Sequence, residues 1–88
     1  MTALVVDVVG WAGAALILAA YALLTLGKVR AESFAYQAMN LLGAAGFVIN
    51  SGWHGAIPNA ALNIAWAIIA AVALVRLARR GRAQASRG

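Results

Sequence analysis

The sequence contains no cysteine, one histidine, one proline and few charged residues. The absence of cysteine excludes a disulfide framework, a thiol nucleophile and a thiolate metal site. His54 cannot form a metal site alone. Only 10% of the 88 residues are charged and 65% are hydrophobic, whereas a soluble domain needs roughly a quarter of its residues charged. The composition therefore predicts a single-domain membrane protein, with the lipid bilayer as its first partner.

Groups that would support catalysis or ion coupling are also missing. The sequence has no Ser-His-Asp set, no paired carboxylates and no phosphate-binding glycine loop preceded by a strand. Neither Asp7 nor Glu32 lies in the middle of a hydrophobic run, where a proton-coupled antiporter of the small multidrug type would need an acidic residue. We therefore expect no enzymatic activity, no cofactor and no metal.

Three hydrophobic runs lack any charge, from Val8 to Gly27, from Ser33 to Trp53 and from Gly55 to Val75. Each is close to the ~20 residues that cross the hydrocarbon core. The sequence therefore predicts an all-α fold of three transmembrane helices over residues 8–27, 33–53 and 55–77, within a domain of residues 1–78. Pro58 falls in the first turn of the third helix, where its missing N–H costs little.

The charge is unevenly distributed, with seven Lys and Arg residues against two acidic ones. Lys28 and Arg30 separate the first two runs, and five arginines follow the third, so basic residues flank the spans and do not indicate nucleic-acid binding. The positive-inside rule then places the N-terminus outside and the C-terminus in the cytoplasm of a multi-pass membrane protein. The basic tail, residues 79–88, is expected to be mainly a stop-transfer signal with a disordered end. The alternatives are an anionic-lipid patch and a partner-binding arm.

Polar, aromatic and small residues recur at intervals of three and four, which places them on one face of each predicted helix. The opposite faces carry Leu, Ile, Val and Ala, so the pattern predicts a lipid-facing exterior and a polar interior. The polar faces comprise Gly10, Ala14, Ile17 and Tyr21 in the first helix, Tyr36, Asn40, Gly43, Phe47 and Asn50 in the second, and Asn59, Asn63 and Trp66 in the third.

A helical rise of ~1.5 Å per residue places Gly43 level with Trp66, and Gly46 level with Asn63. Two interpretations follow. Asn63 and Trp66 line a small pocket opposite these glycines, because an amide and an indole suit a neutral polar solute. Alternatively, the amides hydrogen-bond neighbouring helices. The candidate substrate-binding residues are Asn63, Trp66, Asn40, Tyr21 and Phe47, and the candidate helix-packing residues are Gly13, Gly43 and Gly46.

Three motifs, "GWAGAALILAAYAL", "SFAYQAMNLLGAAGF" and "HGAIPNAALNIAW", lie between Gly10 and Trp66. In these motifs the sequence resembles a family of short bacterial membrane proteins of unassigned function, which implies a place in the bacterial inner membrane. More distantly, the layout is similar to the SemiSWEET half-transporters of the PQ-loop superfamily. There a proline starts the third helix and an asparagine five residues later faces the pocket, and "PNAALN" supplies Pro58 and Asn63 at that spacing. The pocket tryptophan of that family would fall near Phe47.

This resemblance implies a transporter-like homodimer that handles a small neutral polar solute. Three helices enclose too little space for a solute path, and two copies would turn the polar faces of six helices inward. The alternative is a structural or accessory subunit that docks on a larger membrane complex and transports nothing itself. Both explain the polar faces, and they differ in whether the space beside Asn63 is hydrated.

Overall fold

Three α-helices make up the protein, as seen in a computed structural model that describes the backbone of residues 2–87 and the side chains of residues 2–81. They are α1 (Thr2–Thr25), α2 (Phe34–Trp53) and α3 (Ile57–Arg87). Both α1 and the segment Ile57–Gly81 of α3 are long and apolar enough to cross a membrane. The shorter α2 does not pass that test, because amide side chains interrupt its apolar sequence.

The helix ends follow from local sequence. After α1, Gly27 adopts a positive φ of 74°, and before α2 the Ser33 hydroxyl caps the helix by accepting a hydrogen bond from the Tyr36 N–H at 3.2 Å. Gly55, with φ 72°, turns the chain into α3, of which Pro58 is the second residue.

Two helices are longer than the sequence pattern predicts. The first begins at Thr2 and not at residue 8, because one carboxylate, Asp7, in the opening turns does not prevent a helix from forming. The third continues to Arg87 and not to residue 77, since Ala, Arg and Gln, which predominate after residue 77, all favour helix. Most of the predicted tail is therefore helical, while Gly88 and the side chains of residues 82–88 lie outside the described part.

The central helix is α2. It contacts both α1 and α3, whereas α1 and α3 share no contact within the described residues. The polar faces of the three helices therefore do not meet at one common axis within a single chain.

Small residues fill the helix contacts and large apolar residues lie outside them. Buried positions include Gly13, Ala44 and Ala70, whereas Trp11 is 79% exposed and Leu18 is 69% exposed. Only 22% of the most apolar stretch of α1 is buried, and 11% of that of α3. A core helix of a soluble protein would be mostly buried, so this apolar surface supports association with a membrane.

Candidate functional site

Asn40 connects the second and third helices. Its Nδ2 donates to the Tyr36 carbonyl oxygen at 2.8 Å, one turn earlier in α2. Its Oδ1 accepts from the Trp66 Nε1 of α3 at 3.2 Å. The Asn40 side chain is buried and the Trp66 residue is 48% exposed. The amide therefore holds one edge of the indole in place while the rest of the ring remains open.

A cleft of about 150 Å³ opens beside this pair. One water occupies ~30 Å³ of liquid, so the cleft has room for a few waters, but it is smaller than the ~300–1,000 Å³ of typical ligand pockets. A single chain therefore supplies part of a ligand site and not a complete enclosure. The lining residues, all uncharged, are Tyr36, Gln37, Asn40, Trp66, Ile69 and Ala70.

Asn63 belongs to a different polar set, nearer to the turn between α2 and α3. Its Nδ2 donates to the Asn59 carbonyl oxygen at 2.9 Å and to the Asn59 Oδ1 at 3.2 Å. The Asn59 Nδ2 in turn donates to the Ser51 Oγ of α2. Asn63 is only 9% exposed and does not line the cleft beside Trp66. Within one chain its amide is thus engaged in a helix-linking network.

The remaining two candidate residues lie apart from Asn63 and Trp66. Tyr21 is 65% exposed on α1, a helix without contact to α3 in the described residues. Phe47 is half-buried on α2, and its backbone nitrogen faces Gly13 of α1. Of the five predicted solute-binding residues, the structure therefore joins Asn40 and Trp66 directly and leaves the others at separate places.

The glycines of α2 face α1, so the expectation that they lie opposite Trp66 and Asn63 is wrong. A Cβ atom on Gly13 would lie 2.7 Å from the Gly43 carbonyl oxygen, and one on Gly46 would lie 2.9 Å from the Val9 carbonyl oxygen. With 3.6 residues per turn, Gly46 is rotated by roughly 120° from Asn40 around the helix axis. This rotation separates the face that contacts α1 from the face that contacts α3.

Sequence reasoning missed the contacts at the end of the molecule that holds the turn between α2 and α3. Asn50 Nδ2 donates to the Val6 carbonyl oxygen at 3.1 Å, and His54 Nε2 lies 3.4 Å from Asp7 Oδ1. These partners are separated by 44 and 47 positions, so no local spacing signals them. The described residues contain no group of three or more His, Cys, Asp or Glu that could hold a metal ion.

Hydrogen bonding within the chain satisfies the polar interior. In the described part, no buried side-chain nitrogen or oxygen lacks a partner. The buried amides identified from sequence therefore bond within the single chain, while the open face of Trp66 borders a cleft.

Comparison with known proteins identifies the family of the chain but gives no information on its function. No curated protein and no solved structure matches it. The model of one uncharacterised protein family matches residues 6–82, which include most of α1, all of α2 and most of α3, so the chain belongs to that family.

Proposed function

We propose that the chain crosses the bacterial inner membrane three times, with the N-terminus outside and the C-terminus in the cytoplasm. Two helices have the length and apolarity for this. The 20 residues of α2 are also enough for a span. Its amides Asn40 and Asn50 donate to carbonyl oxygens of the chain itself, which lowers the cost of placing them in lipid. The basic residues flank the spans on one side, as the positive-inside rule requires.

Within that membrane protein, we propose that the Asn40–Trp66 pair forms part of the site for a small neutral polar solute. This pair is the observation that carries the proposal, because it presents an open indole face beside a cleft with polar groups. An amide both donates and accepts hydrogen bonds, and an indole adds a flat apolar wall. All residues that line the cleft are uncharged, which favours a neutral solute over an ion.

The solute site is completed, in this proposal, by a second copy of the chain. The cleft of about 150 Å³ is too small and too open to enclose a solute alone. The gap between α1 and α3 leaves part of α2 uncovered, so a second chain can approach the cleft. The spacing of Pro58 and Asn63 resembles that in the SemiSWEET half-transporters, which work as dimers. This resemblance supports the second copy in the proposal.

Single cysteines test whether the cleft is hydrated. The chain has no native cysteine, and Trp66 and Ile64 on α3 are each 48% exposed. Because they are two positions apart, they lie roughly 160° apart around the helix axis. With a water-soluble thiol reagent on membranes, we expect Trp66→Cys to be labelled and Ile64→Cys to remain unreactive. Asn63→Cys and Ala70→Cys extend the test along the contact between α2 and α3.

If Ile64→Cys and Trp66→Cys are equally unreactive from both sides of the membrane, the cleft is not hydrated and the solute-handling proposal fails. Helical content measured by circular dichroism identifies any variant that fails to fold. Cross-linking between cysteines of two chains reports separately on the homodimer.

A structural or accessory role is the second candidate, and the satisfied polar interior favours it. Asn63 bonds within its own helix and Asn50 bonds to α1, so both amides serve as links between parts of one chain. An accessory subunit would need no hydrated cleft. Chemical cross-linking in native membranes separates the two candidates, since a homodimer yields self-paired chains and an accessory subunit yields a larger foreign partner.

A further inference from the structure

A ridge on the C-terminal half of α3 separates two grooves. We define the ridge as Ile68, Val72 and Arg76, which follow one another at intervals of four and line both grooves. The larger groove, of about 400 Å³, lies between α3 and the start of α2 and reaches Arg80. The smaller groove, of about 320 Å³, lies on the other side of the ridge and reaches Arg79.

The polarity of both grooves changes along the helix in one direction. At the Ile68 end the walls are apolar, and Ile68 and Val72 are 58% and 46% exposed. At the other end three arginines, Arg76, Arg79 and Arg80, are all exposed. From Ile68 to Arg80 the helix rises by about 18 Å, which is close to the thickness of one leaflet of a bilayer whose hydrocarbon core measures ~30 Å.

We propose that this ridge binds an anionic phospholipid. One acyl chain occupies each groove on either side of Ile68 and Val72, and the phosphate is held by guanidinium groups around Arg76. Guanidinium forms paired hydrogen bonds to phosphate oxygens, which a neutral surface cannot offer. This inference rests on the proposed crossing of the membrane by α3 and does not depend on solute handling.

Charge decides between a lipid and a second copy of the chain as the occupant. A parallel dimer through the ridge would bring two copies of Arg76, Arg79 and Arg80 together, and like charges repel. An anionic lipid neutralises them instead. Glu32 also lines the larger groove, but its Oε2 lies 3.5 Å from the Arg30 Nε, so a neighbouring cation offsets its charge locally.

Spin-labelled lipids measure the binding directly. The full chain is reconstituted in phosphatidylcholine vesicles with a trace of spin-labelled phosphatidylglycerol or, for comparison, spin-labelled phosphatidylcholine. The readout is the fraction of each label whose motion is restricted by the protein. We expect a clear preference for phosphatidylglycerol, reduced by roughly fivefold for each of Arg76→Gln and Arg80→Gln, as for a basic residue near an anionic surface.

Two matched variants distinguish a site from a general surface charge. Lys28→Gln removes one exposed positive charge outside both grooves and is expected to keep the preference for phosphatidylglycerol. Glu32→Gln removes the carboxylate that lines the larger groove and is expected to strengthen that preference. An equal loss in Lys28→Gln and Arg76→Gln would overturn the site, and so would an unchanged preference in Arg76→Gln.

The unaltered protein provides a test that no folding defect can obscure. Because the arginines are exposed, raising the salt concentration is expected to lower its preference for phosphatidylglycerol. Inorganic phosphate at the same ionic strength should compete no better than chloride if the acyl chains contribute; stronger competition would identify a free-phosphate site and overturn the lipid proposal. Cross-linking of cysteines at Ile68 between two chains would identify the ridge as a protein interface and overturn it as well.

Failure of this inference and failure of solute handling give different results. An unreactive Trp66→Cys removes the hydrated cleft and leaves the lipid preference intact. Loss of the lipid preference leaves the thiol reactivity at position 66 unaffected.

Discussion

The contact between α1 and α2 differs in kind from the contact between α2 and α3. Gly13, Gly43 and Gly46 bring the backbones of the first pair so close that Cβ atoms there would meet carbonyl oxygens. The second pair is joined by side-chain hydrogen bonds, from Trp66 to Asn40 and from Asn59 to Ser51. Although Asn50 also donates to the Val6 carbonyl oxygen of α1, close backbone approach distinguishes the first contact and paired side chains distinguish the second.

The difference shows how each contact is expected to respond to substitution. Close backbone approach gains its stability from many van der Waals contacts and does not tolerate added volume. Side-chain hydrogen bonds tolerate small changes of shape, but they lose stability when one partner is removed and the other stays buried. The first contact should therefore be rigid, and the second should be adjustable in a way that suits a solute site.

Gly13→Val is expected to produce the largest effect. A Cβ atom on Gly13 would lie 2.7 Å from the Gly43 carbonyl oxygen, so the helices must separate. We expect the free energy of unfolding in detergent to fall by about 3 kcal/mol. The control is Gly52→Val near the end of α2, where nothing lies within 4 Å of an added Cβ atom, and we expect a change of less than about 0.5 kcal/mol. Equal losses for both variants would show that the glycines do not form a close contact.

Asn40→Leu is expected to have an intermediate effect. It leaves the Trp66 indole N–H without its acceptor, at a cost of about 1–2 kcal/mol in the free energy of unfolding. In a double-mutant cycle with Trp66→Phe, we expect a coupling energy of about 0.6–1.7 kcal/mol. Ile64→Ala, at an equally exposed position of α3, should show no coupling to Asn40→Leu. A coupling energy of zero between positions 40 and 66 would show that this hydrogen bond does not stabilise the contact between α2 and α3.

Asp7→Asn is expected to have the smallest effect. The Asp7 and His54 side chains are 56% and 53% exposed and 3.4 Å apart, so water screens their interaction. We expect the free energy of unfolding to change by less than about 0.5 kcal/mol, since exposed ion pairs contribute little. A loss as large as that of Asn40→Leu would show instead that the two ends of α1 and α2 are joined by a strong polar contact.

Helix number and most helix ends could be predicted from the sequence, because hydrophobic runs, Pro58 and the turn glycines act locally. The face on which each residue of α2 lies could not. Asn40 and Gly43 share a helix and a stripe in the sequence pattern, yet they contact different neighbours. The residues of this stripe lie within roughly 80° of the helix surface, and only the relative placement of α1 and α3 divides them between two helices.

The predicted solute-binding set was only partly assembled for a related reason. The residue number determines how far along its helix a side chain lies, but it does not determine which neighbouring helix that side chain faces. Tyr21 does not reach Asn63, because α1 and α3 share no contact in the described residues. The contact between His54 and Asp7 could not be predicted from local spacing either, because the two residues are 47 positions apart.

The central position of α2 has a consequence for the order in which the chain is synthesised. Since α1 contacts α2 and the adjoining His54 but not α3 in the described residues, every described tertiary contact of α1 is available once residue 54 has been made. A helical hairpin of α1 and α2 can therefore close while α3 is still inside the ribosome. The third helix then docks onto a surface that already exists, so a break in the backbone near Gly55 leaves a first piece that keeps the whole contact between α1 and α2 and loses only the contact with α3.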